Sequence, residues 1–199
     1  MDNGLASPGW GDGMATAPRR AGRRVVALLG TLVVASCVGP AHAEVTARLG
    51  ADATLLINPV EPGTETAPGL GITGLVGYSP ELEPLILVPE IGGSFHWFDD
   101  RYGRMLTRAV AGARLGVAAA VEPSLSLHLG YARTWGHDVD AVLAPDGFTL
   151  DTIVACDFRL ERWLSLGPQI GYLTVLAPTD RDTHTFHVVS LGAGVTGWF

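Results

Sequence analysis

Past residue 43 the chain repeats one pattern, apolar residues alternating with small or polar ones, and no stretch there carries a convincing helical period. In SLSLHLGYARTW, Leu125, Leu127, Leu129 and Tyr131 share one face while Ser126, His128, Gly130 and Ala132 share the other. The same alternation predicts strands in EVTARLGADATLLIN from Glu44, GLGITGLVGY from Gly69, LILVPEIGGSFHWF from Leu85 and MLTRAVAGARLGV from Met105. It predicts three more in FTLDTIVACDFRL from Phe148, LSLGPQIGYLTVL from Leu164 and FHVVSLGAGVTGWF from Phe186. The chain therefore reads as all-β with eight strands, each close to the roughly 9–11 residues that a tilted membrane strand needs.

The connections sort into two classes. SPELEP, AAAVEP and the corner Glu161-Arg162-Trp163 are short, whereas PVEPGTETAP, DDRYGRM, GHDVDAVLAPDG and APTDRDTH are long and polar. The classes alternate strictly, as external loops and periplasmic turns do in an up-and-down membrane barrel with both termini on the short-turn side. LILVPEIGG, LSLHLGY and LSLGPQIGY each open a rising strand after a short turn, so the hairpin is the repeating unit of a meander. Pro89 and Pro168 occupy matching places inside strands and are expected to mark bulges.

Charges fall on the face opposite the apolar rows. Arg48 and Asp52 oppose Val45, Ala47, Leu49 and Ala51; Arg108 and Arg114 oppose Ala109, Ala111, Ala113, Leu115 and Val117; Asp151, Asp157 and Arg159 oppose Leu150, Val154, Cys156, Phe158 and Leu160. Alternation alone does not say which face is inside, since a soluble barrel or lipocalin-like carrier would turn the apolar rows inward. Composition decides the sense. Hydrophobic residues make up 47% of the chain and charged ones 17%, there is no lysine, and the polar face is mostly Gly, Ser, Thr and Ala. Small side chains suit the crowded lumen of a narrow barrel. A transmembrane barrel is expected, with Arg48, Asp52, Glu90, Arg108, Arg114, His128, Asp157 and Arg159 forming a paired network that plugs it. Tyr78, Phe95, Trp97, Tyr102, Trp135, Trp163, Tyr172 and Trp198 lie near strand ends, where interfacial girdles form. Strict alternation in the last strand nonetheless turns Trp198 inward.

Residues 1–43 read as an N-terminal extension plus a cleaved signal peptide. Arg19, Arg20, Arg23 and Arg24 precede the apolar run Val25 to Val38, and Ala41-His42-Ala43 forms an A-x-A cleavage site before Glu44. Met14 stands just ahead of the arginines as an alternative start. Val34-Ala35-Ser36-Cys37 resembles a lipobox, so lipidation at Cys37 stands as the second route of processing. The barrel domain is then 44–199, with nine basic and eighteen acidic residues and a formal charge of −9. That charge argues against a nucleic-acid surface. GLGITG from Gly69 and GAGVTG from Gly192 spell the dinucleotide fingerprint, but no helix can follow either one, so neither can hold a pyrophosphate.

A cleavable signal, eight alternating strands, sorted loops and the terminal strand VVSLGAGVTGWF together resemble the small bacterial outer-membrane β-barrels of the OmpA transmembrane-domain or OmpX type. The resemblance implies contact with outer-membrane lipid and lipopolysaccharide. It also implies a terminal signal read by the barrel-assembly machinery, which Phe199, Val195, Ala193, Leu191 and Val189 match while Gly197 stands where a larger residue is usual. Ser126-Leu127-His128 invites comparison with barrel lipid A deacylases, whose serine and histidine face the bilayer; here both fall on the lumen phase. His137, Asp138 and Asp140, with His184 and His187, reproduce no closed zinc or calcium spacing. The expectation is a non-enzymatic outer-membrane barrel without cofactor or metal, acting structurally or through its external loops. An exported soluble or lipid-anchored lipocalin-like barrel is the alternative.

Overall fold

The computed structural model describes residues 44–60, 63–82, 84–100, 103–136, 146–178 and 183–199. Within them the chain is strand and turn. The strands are β1 (Glu44–Val60), β2 (Gly63–Ser79), β3 (Glu81–Leu82), β4 (Leu85–Phe98), β5 (Met105–Val117), β6 (Val121–Trp135), β7 (Gly147–Glu161), β8 (Leu164–Pro178) and β9 (Thr183–Trp198). The two-residue β3 only extends the hairpin between β2 and β4. Each long strand pairs antiparallel with its sequence neighbours, and β1 pairs with β9, so the eight long strands close into a barrel. Closure leaves no sheet edge, the condition for a β-structure to cross a bilayer.

Strands of 13 to 17 residues are longer than a bilayer requires. Two of the connections expected to be long are partly strand: β1 and β2 pair up to Val60 opposite Gly63, and β8 and β9 up to Pro178 opposite Thr183. The described residues of PVEPGTETAP, 59–60 and 63–68, are strand because this hairpin continues beyond the apolar zone, so their polarity does not mark a loop. At the ends of the connection between β4 and β5, Phe98 N–H donates to the Arg104 carbonyl (2.9 Å), and Gly103 takes φ 58°, a left-handed conformation that glycine adopts without strain.

The expected proline bulges are absent. Pro89 stays in register with Ala113 and Pro168 with Ala193. On their other flanks the ladders skip, between Gly77↔Glu90 and Glu81↔Ile86 and between Ala155↔Gln169 and Phe158↔Leu166, with the same register on both sides. A missing N–H breaks the ladder locally, and no extra residue is needed. The register shift in β7–β8 lies at Arg159/Glu161 instead.

The barrel is inverted relative to a soluble protein. Leu129 is 61% exposed and its neighbour His128 1%, and the same contrast runs round the wall, with Leu70, Ile72, Val154, Ile170 and Leu191 outside and Arg48, Glu90, Arg114, Asp151 and Asp157 inside. A lipocalin-like carrier has the opposite sense. Such a wall is stable only against lipid, because apolar area left in water forfeits about 25 cal/mol per Å².

Candidate functional site

The lumen is filled in three storeys. At the short-turn end, Trp198 is 5% exposed and points inward, a correction to its place among the girdle aromatics. It follows from the phase of β9, in which Phe199 is outside. The Trp198 ring lies under the Arg114 and Arg159 guanidinium groups (5.4 and 5.3 Å), and its indole N–H donates to Ser165 Oγ (3.3 Å), which in turn donates to Glu122 (3.4 Å). Arg159 pairs with Glu122 at 3.3 Å but keeps 34% of its side chain exposed, so it sits at the rim.

The middle storey holds the other sequence-derived charges. Arg48 binds Asp157 (2.8 Å) and Gln169 (3.0 Å), and Gln169 donates to Asp52 (2.8 Å). Arg114 binds Glu90 at 3.0 Å and lies 3.8 Å from Asp157. His128 stands between Glu90 (3.3 Å) and Asp151 (3.5 Å), and Arg108 pairs with Asp151 at 2.8 Å and reaches Ser94. The eight residues expected in the lumen thus join through partners absent from that expectation: Asp151, Gln169, Glu122 and Ser94. Each lies on the inward phase of its strand, so phase was the available signal.

Glycine makes room for these groups. A Cβ at Gly192 would lie 2.1 Å from the Ala51 carbonyl and 2.4 Å from Asp52 Oδ1, and one at Gly194 would meet Gln169 and Arg48. Both glycines, like those of GLGITG, lie in strand interiors. Gly69, Gly71, Gly192 and Gly194 therefore reflect close packing of a narrow lumen, with no helix N-terminus beside them, while Gly74 and Gly197 lie on the outward phase.

At the opposite end the lumen turns apolar. Leu56, Ala67, Phe98, Leu106, Ala132, Leu173, Val175, Phe186 and Val188 form one buried cluster. Above it Arg104 binds Glu65 at 2.8 Å and also Asp100. Alternation weakens at Leu55-Leu56-Ile57 and Val188-Val189 because consecutive apolar residues there face lipid and this plug in turn.

The remaining candidates separate. Ser126 and His128 are both buried in the lumen. His184 faces inward to Asn58 (2.7 Å), while His187 faces outward to Tyr172 (3.0 Å) and Thr174 (3.3 Å). No group of three His, Cys, Asp or Glu suited to a metal occurs among the described residues. Ala41, Ala43, Cys37, Tyr102, His137, Asp138 and Asp140 lie outside the described residues.

The closed meander, its inverted faces and its filled lumen can be set beside solved structures. Neisserial surface protein A (NspA) aligns with a TM-score of 0.62 at 15% identity, over 79% of this chain and 99% of that one. The fold is that of the small outer-membrane β-barrels. Ail of Yersinia pestis (TM-score 0.47, 11% identity, 78% of this chain and 99% of that one) and the outer membrane protein OprG of Pseudomonas aeruginosa (0.43, 12%, 81% and 98%) are more distant matches. No protein-family model matches the chain, and no curated protein matches it.

Proposed function

We propose that this chain is a non-enzymatic integral protein of a bacterial outer membrane, serving as a closed scaffold that presents its hairpin ends outside the cell. The observation that carries this reading is the pairing of an apolar outer wall with a lumen occupied from end to end. An open pore needs a water-filled axis, and a carrier needs a vacant apolar cavity; here Arg48, Arg114 and Asp157 fill the first and Phe98, Leu106 and Phe186 the second. Its partners are outer-membrane lipid and lipopolysaccharide along the wall, and the barrel-assembly machinery acting on the strand that ends at Phe199.

Cell fractionation with carbonate washing and gel mobility with and without heating test the reading together. The expected result is retention in the outer-membrane fraction and faster migration of the unheated chain. Release by carbonate, with one mobility at both temperatures, would refute it.

A further inference from the structure

Among the described residues, the outward positions of the eight strands carry two formal charges: Glu161 at the short-turn end of β7, beyond its register shift, and one cation, Arg133 near the end of β6. A lone cation on a lipid-facing wall is costly at acyl depth and sits comfortably only at the headgroup plane. Its surroundings fix that height. Tyr131 and Phe148 pack edge to face just below it (5.9 Å between rings), and Trp135 lies just above. The Arg133 guanidinium stacks on the Trp135 ring at 4.2 Å, and that ring is held by its N–H donating to Thr107 Oγ1 (3.0 Å). Thr107 Oγ1 also donates to the Arg133 carbonyl at 3.3 Å, so arginine and indole are tied to one support.

The guanidinium has one acidic neighbour among the described residues. Asp146 stands 4.0 Å away with both side chains well exposed (60% and 40%), and its other oxygen accepts from Thr134 N–H at 3.3 Å. A pair that long and that wet contributes little and leaves the guanidinium fork available. A planar fork held over an indole matches a phosphate better than a flexible ammonium does. The barrel domain as a whole is acidic, so an anionic headgroup finds no general attraction here and needs a local one.

We infer that Arg133 on Trp135 is a binding site for the phosphate of an outer-leaflet glycolipid, the phosphorylated headgroup of lipopolysaccharide, whose acyl chains run down past Tyr131, Phe148 and Leu129. This rests on the outer-membrane reading above. The test is native mass spectrometry of the folded full chain in detergent, titrated with bisphosphorylated lipid A, dephosphorylated lipid A and phosphatidylglycerol. Arg133→Gln lowers the affinity for bisphosphorylated lipid A by roughly fivefold to tenfold, the contribution of a charge-assisted contact at a partly exposed site. Arg133→Lys recovers part of it, and neither change affects dephosphorylated lipid A. Both variants keep heat-modifiable mobility, because the side chain is outside the folded lumen. Equal binding of bisphosphorylated lipid A by the wild type and Arg133→Gln overturns the site. Phosphatidylglycerol binding as tightly, with the same dependence on Arg133, overturns the glycolipid assignment. Failure of the wild type to remain in lipid vesicles overturns the membrane reading and this site with it.

Discussion

Asp157→Asn removes the carboxylate that holds Arg48 at 2.8 Å and faces Arg114 at 3.8 Å, with 5% or less of each of the three side chains exposed. The new amide keeps one oxygen that can accept from Arg48 but carries no charge, so the Arg48 and Arg114 guanidinium groups shut inside a narrow lumen lose the counter-charge they share, and Arg48 keeps only the neutral Gln169 carbonyl oxygen beside it. Breaking one side of a buried pair costs about 3–5 kcal/mol, whereas replacing both partners by apolar groups of similar volume is often neutral or stabilising. The single change is therefore expected to lower stability by about 3–5 kcal/mol, and Arg48→Met combined with Asp157→Leu to recover most of the loss. Glu122→Gln, which breaks the rim pair with the part-exposed Arg159, should cost less than Asp157→Asn. Equilibrium urea unfolding from lipid vesicles, followed by tryptophan fluorescence, measures all three. If Asp157→Asn costs less than about 1 kcal/mol, or if the double variant is no more stable than Asp157→Asn, the ion pairs do not hold the lumen in the way described.

Three further outcomes follow from the same geometry. Gly192→Val should fail to fold in vesicles, because its Cβ would meet the Ala51 carbonyl and Asp52, while Gly197→Tyr should fold, since the atoms it meets belong to the outward Phe199 ring; band-shift assays separate the two. Deleting Phe199 removes its two backbone bonds with Val45 (2.8 and 2.9 Å) and should reduce insertion in cells far more than refolding of the purified chain, as shown by comparing cell fractions with in vitro yields. Planar-bilayer recordings should show no large, steady conductance.

The outer and inner faces were legible in the sequence because a strand has period two and lipid demands an unbroken apolar row. Composition settled which row was outside. What escaped was everything that depends on height along the barrel. Glu122 falls in a turn by its neighbours AAAVEP, yet β6 begins at Val121 and carries that carboxylate into the lumen. Thr64 and Thr66 resemble a loop, since a strand that leaves the bilayer loses its alternation. The plug formed by Phe98, Leu106 and Phe186 went unseen because period two reports a face and says nothing of which residues from distant strands share a level. Arg48 to Asp157 and Asp52 to Gln169 are contacts of the latter kind.

The most direct test of the inverted barrel is a cysteine scan along β6 in a Cys156→Ser background, each site carrying a fluorophore in vesicles with brominated lipid. Leu125, Leu127 and Leu129 face outward and Ser126, His128 and Gly130 face inward, so quenching should alternate residue by residue, strong at the three leucines and weak between them. Folded variants with strong quenching at Ser126, His128 and Gly130 and weak quenching at the leucines, or with no alternation, would contradict the account.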